Sequence, residues 1–387
     1  MRVLFLTDSL SDLDGVGRYA VRLIAALEEL RPDIEVEILL ARKHRPTSAD
    51  VPARWNVRVA LPPDYFYYMP AWRFWPSAWL ASARIASAAR HCDIVHAIKD
   101  YPHNYAGLVG ARRAGKPCIA TAHGTYSVLP LLSPRHAARA RWAYRGFAAM
   151  IAVSRYTRRR LLEILTRDEL EPEHVRVIQN AVSAENYAEP RAIGARPWHT
   201  TPFTLAIGEV KERKGHHLSL AAWCGAAREH ADLRHYIVGK STGDAYHASL
   251  VEIARRAGMS ERVHFLGNVS EDEKVDLLQR AQVFLHTPVT AGDGGFEGFG
   301  IVYLEASACG VPVIGTRDCG AEDAIDDGVT GFLVEQEAPA VERALRRLLA
   351  DPALRARLGA AGRERARRSS WEENARAVLA LYGEVLR

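Results

Sequence analysis

No uninterrupted apolar run in this 387-residue chain approaches the roughly 20 residues that cross a bilayer, so no transmembrane helix is expected. The opening MRVLFLTDSL is too short for a secretory hydrophobic region and reads as a first β-strand. Cysteine is scarce. Cys92, Cys118, Cys224, Cys309 and Cys319 form no C-x-x-C pair and no histidine-spaced cluster. That pattern excludes a disulfide framework and points to buried thiols in a reducing compartment. The expected location is the cytoplasm, peripherally on the inner face of the cell membrane. Low-complexity tracts and short-period repeats are also absent, and 48% hydrophobic with 25% charged residues is ordinary for a globular protein. Acidic residues are missing altogether from 101–162, which holds eleven lysines and arginines. Residues 1–190 carry 26 basic against 19 acidic residues, while the remainder carries 25 against 27. This asymmetry concerns partners and not fold.

What is present is a chain too long for one core, with the same alternation running twice. Val3–Thr7, Val36–Leu40, Val57–Ala60, Ile94–Ala97, Cys118–Ala122 and Met150–Val153 are short apolar runs of strand type. A polar turn, Ser9–Gly17, follows the first, and helical periodicity follows at Tyr19–Leu30, Trp79–Arg90 and Tyr105–Ala114. The proline-bearing stretch Glu185–Pro202 reads as a linker. Strands then recur at Thr204–Ile207, His235–Val238, Val263–Leu266, Val283–His286, Val311–Gly315 and Phe332–Val334, with helices at His217–Glu229 and Ala245–Ala257. Buried strands alternating with helices predict parallel doubly wound sheets. The fold class is therefore α/β, with two Rossmann-like domains at 1–190 and 191–370. A terminal helix, 371–387, is expected to pack back toward the first.

The segment TAGDGGFEGFGIVYLEASACGVPVIG, Thr290–Gly315, carries the chemistry. A glycine-rich loop runs into a helix beginning near Phe299 or Gly300, with Glu297 just before it and Glu305 inside it. A helix N-terminus offers unpaired amides and a positive dipole end, both suited to a diphosphate and sugar hydroxyls. A carboxylate there can accept hydrogen bonds from vicinal hydroxyls. On spacing alone, a helix-terminal charge and a solvated helix face serve equally well. EGFGIVYLEASACGVPVI resembles the signature of the retaining, GT-B-type glycosyltransferases of group 1, also called family 4, whose two glutamates stand eight positions apart. GVGRYAVRLIAAL, TAHGTY, IAVSRYTRRRL, VIQNAV, AIGEVKERKGHH and VHFLGNVSEDE resemble its other landmarks, in order.

The resemblance implies two domains facing across a cleft, the first binding acceptor and the second a nucleotide sugar. It assigns catalytic roles to His123, Lys214 and Glu297. Glu297 would hold hydroxyls of the transferred sugar, aided by the backbone amides of Phe299, Gly300 and Ile301. Glu305 would hold the ribose, and Lys214 the diphosphate. His123 would face the donor sugar, while Gly15, Val16 and Gly17 would close over the phosphates and acceptor. The turn Gly267-Asn268-Val269 would meet the base. One position departs from the pattern: where the family has arginine, this chain has Glu209, and Arg213 is the preferred substitute over Lys211. No cofactor or metal is expected. The donor is a UDP-sugar first and a GDP-sugar second, and the acceptor a sugar or lipid-linked glycan.

Weaker features keep modest roles. Asp100 reads as solvated or capping, His216 and His217 as loop and helix-start residues, Asn180 as a turn former, and Glu271–Glu273 as a helix N-terminus. A phosphorylase would need a pyridoxal-phosphate lysine setting, and an epimerase would not carry this glutamate pair. A nucleic-acid partner is not expected, because no recognition motif accompanies the basic segment. An anionic membrane surface is the alternative partner: residues 65–79, YFYYMPAWRFWPSAW, hold eight of the 32 aromatics, and an arginine-rich helix around Arg135–Arg145 follows.

Overall fold

The computed structural model describes residues 1–11, 14–41 and 51–387. Asp12 and Leu13, within the predicted turn Ser9–Gly17, lie outside the described residues. The chain divides into two compact units, Met1–Asn180 with Trp371–Arg387, and Ala181–Ser370.

The first unit runs β1 (Arg2–Thr7), α1 (Gly15–Leu30), β2 (Glu35–Ala41), β3 (Asn56–Leu61), α2 (Ala71–Ala89), β4 (Ile94–Ala97), α3 (His103–Arg113), β5 (Cys118–Ala122), α4 (Thr125–Leu132), α5 (Ala137–Gly146), β6 (Ala149–Ala152), α6 (Arg155–Ile164) and β7 (Val175–Val177). Its seven strands are ordered β3-β2-β1-β4-β5-β6-β7. All are parallel. β4, β5 and β6 are buried along their whole length, as strands covered on both faces must be. α1 begins where the Asp14 carboxylate accepts from the Gly17 amide at 2.7 Å, and α6 where Ser154 accepts from Thr157 at 2.9 Å.

The second unit runs β8 (Phe203–Ile207), α7 (His216–Ala226), β9 (Arg234–Val238), α8 (Ala245–Arg256), β10 (Val263–Gly267), α9 (Glu271–Arg280), β11 (Val283–Leu285), α10 (Ile301–Ala308), β12 (Val313–Thr316), α11 (Ala321–Ala324), β13 (Gly331–Val334), α12 (Ala338–Ala350) and α13 (Pro352–Arg368). Its six-stranded parallel sheet is ordered β10-β9-β8-β11-β12-β13. Trp223, Leu220, Ile237, Leu285, Ile314 and Leu345 lie in its core. The chain then returns with α14 (Trp371–Val385), which packs against α1 in the first unit. There the Tyr382 hydroxyl meets His96 Nδ1 at 2.7 Å, and the Trp371 ring stands edge-on to Tyr19.

In each sheet the connections run one way from a central strand and then the other way from its neighbour. The switch falls between β1 and β4, and between β8 and β11. Crevices outside the carboxyl ends of strands at such points are where doubly wound folds bind ligands.

Three details differ from expectation. Residues 185–202 are not a free linker, because Trp198 is buried and donates to Asp276 of α9 at 2.8 Å, while Gln279 donates to the carbonyls of Tyr187 and Glu189. The division accordingly falls at Asn180 and not at residue 190. α2 begins at Ala71, because Pro70 caps it and Pro76 forfeits only one early helical hydrogen bond.

Candidate active site

In the second unit the turn after β8 and the loop after β11 are laced together. Val289 N donates to Arg213 O at 3.0 Å, and Thr287 Oγ1 donates to Gly215 O at 2.9 Å. Gly215 has φ 66°, and a Cβ there would fall 1.6 Å from Thr287 O, so only glycine permits the approach. The lacing brings Lys214 and Arg213 beside Glu297. Lys214 Nζ donates to Glu297 Oε2, and Arg213 Nη1 lies 3.5 Å from the same oxygen. His286, just beyond β11, adds its Nε2 at 3.6 Å. Tyr303 of α10 donates to His286 O at 2.6 Å, which fixes the end of β11 to the helix.

Glu297 is buried. Burial works against its charge, but the Lys214 ammonium, the His286 ring and the Arg213 guanidinium outweigh it and hold the carboxyl well below the usual range. Burial draws the Lys214 ammonium down, and Glu297 opposes this. Burial likewise lowers His286, with Glu297 opposing. The pair is a compact anion and cation at the switch point, next to a helix N-terminus. Gly300 caps α10 with φ 84°, Ile301 is its first residue, and Phe299 is buried. The backbone holding Glu297 is itself pinned, since Gly320 N donates to Glu297 O at 2.8 Å.

Glu305 lies inside α10 and is buried, its Oε1 3.3 Å from Lys274 Nζ of α9. Neither glutamate is a solvated helix charge. Glu209 takes Lys211 as its partner at 2.9 Å, while Arg213 joins Lys214 as a cation of that turn directed to Glu297. Glycines end the three neighbouring strands: Gly208 after β8, Gly239 after β9 and Gly267 closing β10. The Gly239 amide donates to Gly267 O, and a Cβ on Gly239 would strike Gly208 O at 2.2 Å. Val269 follows, half-buried, beyond exposed Asn268.

In the first unit Gly15 and Val16 open α1, and a Cβ on Gly17 would clash with the Ser11 backbone at 2.6 Å. His123 follows β5. Its amide donates to Asp100 at 3.2 Å, its Nε2 donates to Ile98 O at 3.0 Å, and the Tyr19 ring packs edge-on at 4.9 Å. Burial lowers its pKa, with Asp100 opposing. Asp100 is not solvated: it is buried and also accepts from Ser127 Oγ. Beside it Lys99 Nζ meets Asp8 Oδ2 at 2.5 Å.

Sequence reasoning did not single out His286, Lys274, Tyr303 or the Lys99–Asp8 pair. His286 appeared only as the end of a strand, and Lys274 not at all. Each acquires its role from a partner distant in sequence.

Two doubly wound parallel sheets, each with a topological switch point, define a GT-B-type architecture. A crystal structure of Anabaena HepE in complex with UDP and glucose shares it, with TM-score 0.76 at 19% identity, covering 99% of this chain and 100% of that one. The sequence pattern described as Glycosyltransferase Family 4 matches residues 13–186, and that described as Glycosyl transferases group 1 matches 194–365. The chain belongs to this family of group 1, GT-B-type glycosyltransferases. It is 33% identical over 269 residues to a GDP-mannose-dependent alpha-(1-6)-phosphatidylinositol monomannoside mannosyltransferase of Mycolicibacterium smegmatis. That match spans 65% of this chain and 66% of the relative. A D-inositol 3-phosphate glycosyltransferase of Frankia alni is 28% identical over 398 residues, 97% of this chain and 95% of the relative.

Proposed function

We propose that the protein transfers a hexose from a nucleoside diphosphate sugar to a sugar or lipid-linked acceptor, retaining anomeric configuration and using no metal. The observation that carries this reading is the convergence of Lys214, Arg213 and His286 on Glu297 beside the N-terminus of α10. A departing diphosphate develops negative charge, and two preorganised cations with helix amides stabilise it where it forms. Glu297 orients the sugar through its hydroxyls and is not a nucleophile. Displacement then proceeds on the face the leaving group vacates, the diphosphate oxygen taking the acceptor proton. The protein's contribution is orientation and electrostatics.

Glu305, held by Lys274, takes the ribose hydroxyls, and the strand-end glycines let the nucleotide approach the backbone. In the first unit, the family pattern assigns His123 to the donor sugar and Gly15, Val16 and Gly17 to phosphates and acceptor. UDP-glucose or UDP-N-acetylglucosamine is the first donor reading. GDP-mannose is the second, supported by the name of the mycobacterial relative. Thermal shift with UDP, GDP and ADP identifies the base, and no shift with any of them overturns the donor site. The anomeric proton coupling of the product, followed by NMR with and without EDTA, decides retention and metal independence. Inversion, or loss of activity in EDTA, removes that part of the proposal.

A further inference from the structure

α2 buries one face and leaves the other bare. Phe74, Ala78, Ala81 and Ile85 pack inward. Trp72, Trp75 and Trp79, spaced three and four apart, are 69%, 48% and 62% exposed. Three tryptophans on one solvent-facing stripe are unusual, because Trp normally buries most of its surface. Neighbouring segments add exposed Tyr65, Tyr68, Tyr126 and Leu132, with the Tyr68 and Tyr126 hydroxyls 3.1 Å apart. An apolar patch this extended, rimmed by polar groups, marks an interaction surface.

Its charge is of one sign. The Arg73 guanidinium lies over Trp72 at 4.6 Å, and Arg139 over Trp75 at 4.9 Å. Arg135 is exposed one turn before Arg139. No acidic residue occurs in 65–92 or in 101–162. A second copy of the chain docking isologously on this face would set these guanidiniums against each other without compensating carboxylates. An anionic lipid surface complements both features at once: indole and phenol rings favour the headgroup boundary, and guanidiniums pair with phosphates.

We propose that the Trp72–Trp75–Trp79 face of α2, with Tyr65, Tyr68, Tyr126 and Leu132 beside it, docks on an anionic phospholipid bilayer. The tryptophans enter the interfacial layer, and Arg73, Arg135 and Arg139 contact lipid phosphates. Among the described residues no helix is long and apolar enough to cross a membrane, so the contact lies in the plane of the surface. This docking does not depend on the transfer reaction proposed above, and its test reads no activity.

The test uses the full chain and vesicles of phosphatidylcholine, with and without phosphatidylglycerol. Wild-type protein is expected to co-sediment with the anionic vesicles, more at low salt than at moderate salt, with a blue shift of tryptophan emission. The variant W72A/W75A/W79A loses about tenfold or more in partitioning. W72A/W79A, which touches only the two most exposed rings, loses part of it, and circular dichroism checks that both variants fold. R73Q/R135Q/R139Q removes the preference for anionic over neutral vesicles. The proposal is overturned if wild type ignores both vesicle types, or if the tryptophan variants bind as well as wild type. It is equally overturned if sedimentation velocity shows a dimer that W72A/W75A/W79A abolishes.

Discussion

Lys274 of α9 reaches Glu305 inside α10 with its ammonium 3.3 Å from Oε1, and both residues are buried. The lysine also meets Glu271 at 2.7 Å and the Tyr187 hydroxyl at 3.3 Å. Two helices separated by a strand and a long loop are thereby held together at Glu305, the residue proposed above to take the ribose hydroxyls.

Removing Lys274 takes this counter-ion from the buried Glu305 carboxylate, a loss that typically costs about 3–5 kcal/mol. Lys274→Ala is therefore expected to lower the unfolding temperature more than the double change Lys274→Met with Glu305→Leu. Differential scanning calorimetry of the intact chain checks this. Equal losses would mean that the ion pair adds nothing beyond packing.

Glu297→Ala and Glu305→Ala separate turnover from binding. Ribose contacts act alike in ground and transition states, so Glu305→Ala should raise KM for the nucleotide sugar. Sugar contacts that strengthen as charge develops make Glu297→Ala lower kcat. Lys214→Ala should lower kcat by roughly 10²–10³, the scale of losing one preorganised charge donor. Steady-state kinetics with the donor found by thermal shift decides the matter, and unchanged constants for both glutamate variants would remove the central assignment.

On the proposed reading Arg213 supplies the charge expected at Glu209, so Arg213→Ala should cost at least about tenfold in kcat/KM. Adding Glu209→Arg to that variant should recover part of the loss. A near-wild-type R213A would leave Glu297 served by Lys214 alone.

Stability should fall as acid is added, and three buried imidazoles contribute most plainly. His96, His216 and His235 are each lowered to about 3 by burial. Unfolded histidine titrates near 6.5, so below that pH the unfolded chain binds protons that the folded one refuses. Their contribution is complete above about pH 6.5 and is lost progressively toward pH 3, at about 2 kcal/mol each by pH 5. Thermal unfolding followed from pH 7.5 down to about pH 5 tests this slope. A flat profile would contradict it.

The parallel strands were legible because apolar runs bounded by turns have few other uses. Residues 94–97 and 118–122 match the observed strands residue for residue. Glu297 and Glu305 were legible through their setting, whereas burial, which separates a binding carboxylate from a surface one, was not. β7 went unseen because VRV is three residues long with a charged centre. The long reach of α2 was hidden by Pro70 and Pro76, which read as breakers until their places at the helix start are known. Lys274 and His286 could not be paired with their partners from sequence, since no local pattern records a contact between separate elements.

The return of α14 to the first unit has a consequence for synthesis. Ala181–Ser370 is one continuous stretch, while the first unit needs residues from both ends of the chain. On a ribosome the second unit has all its residues before the first is complete. Until α14 emerges, Tyr19 lacks the Trp371 ring, and until its last turn emerges His96 lacks the Tyr382 hydroxyl. A nascent chain that has emerged only as far as residue 370 therefore carries all of the second unit and a first unit still missing α14.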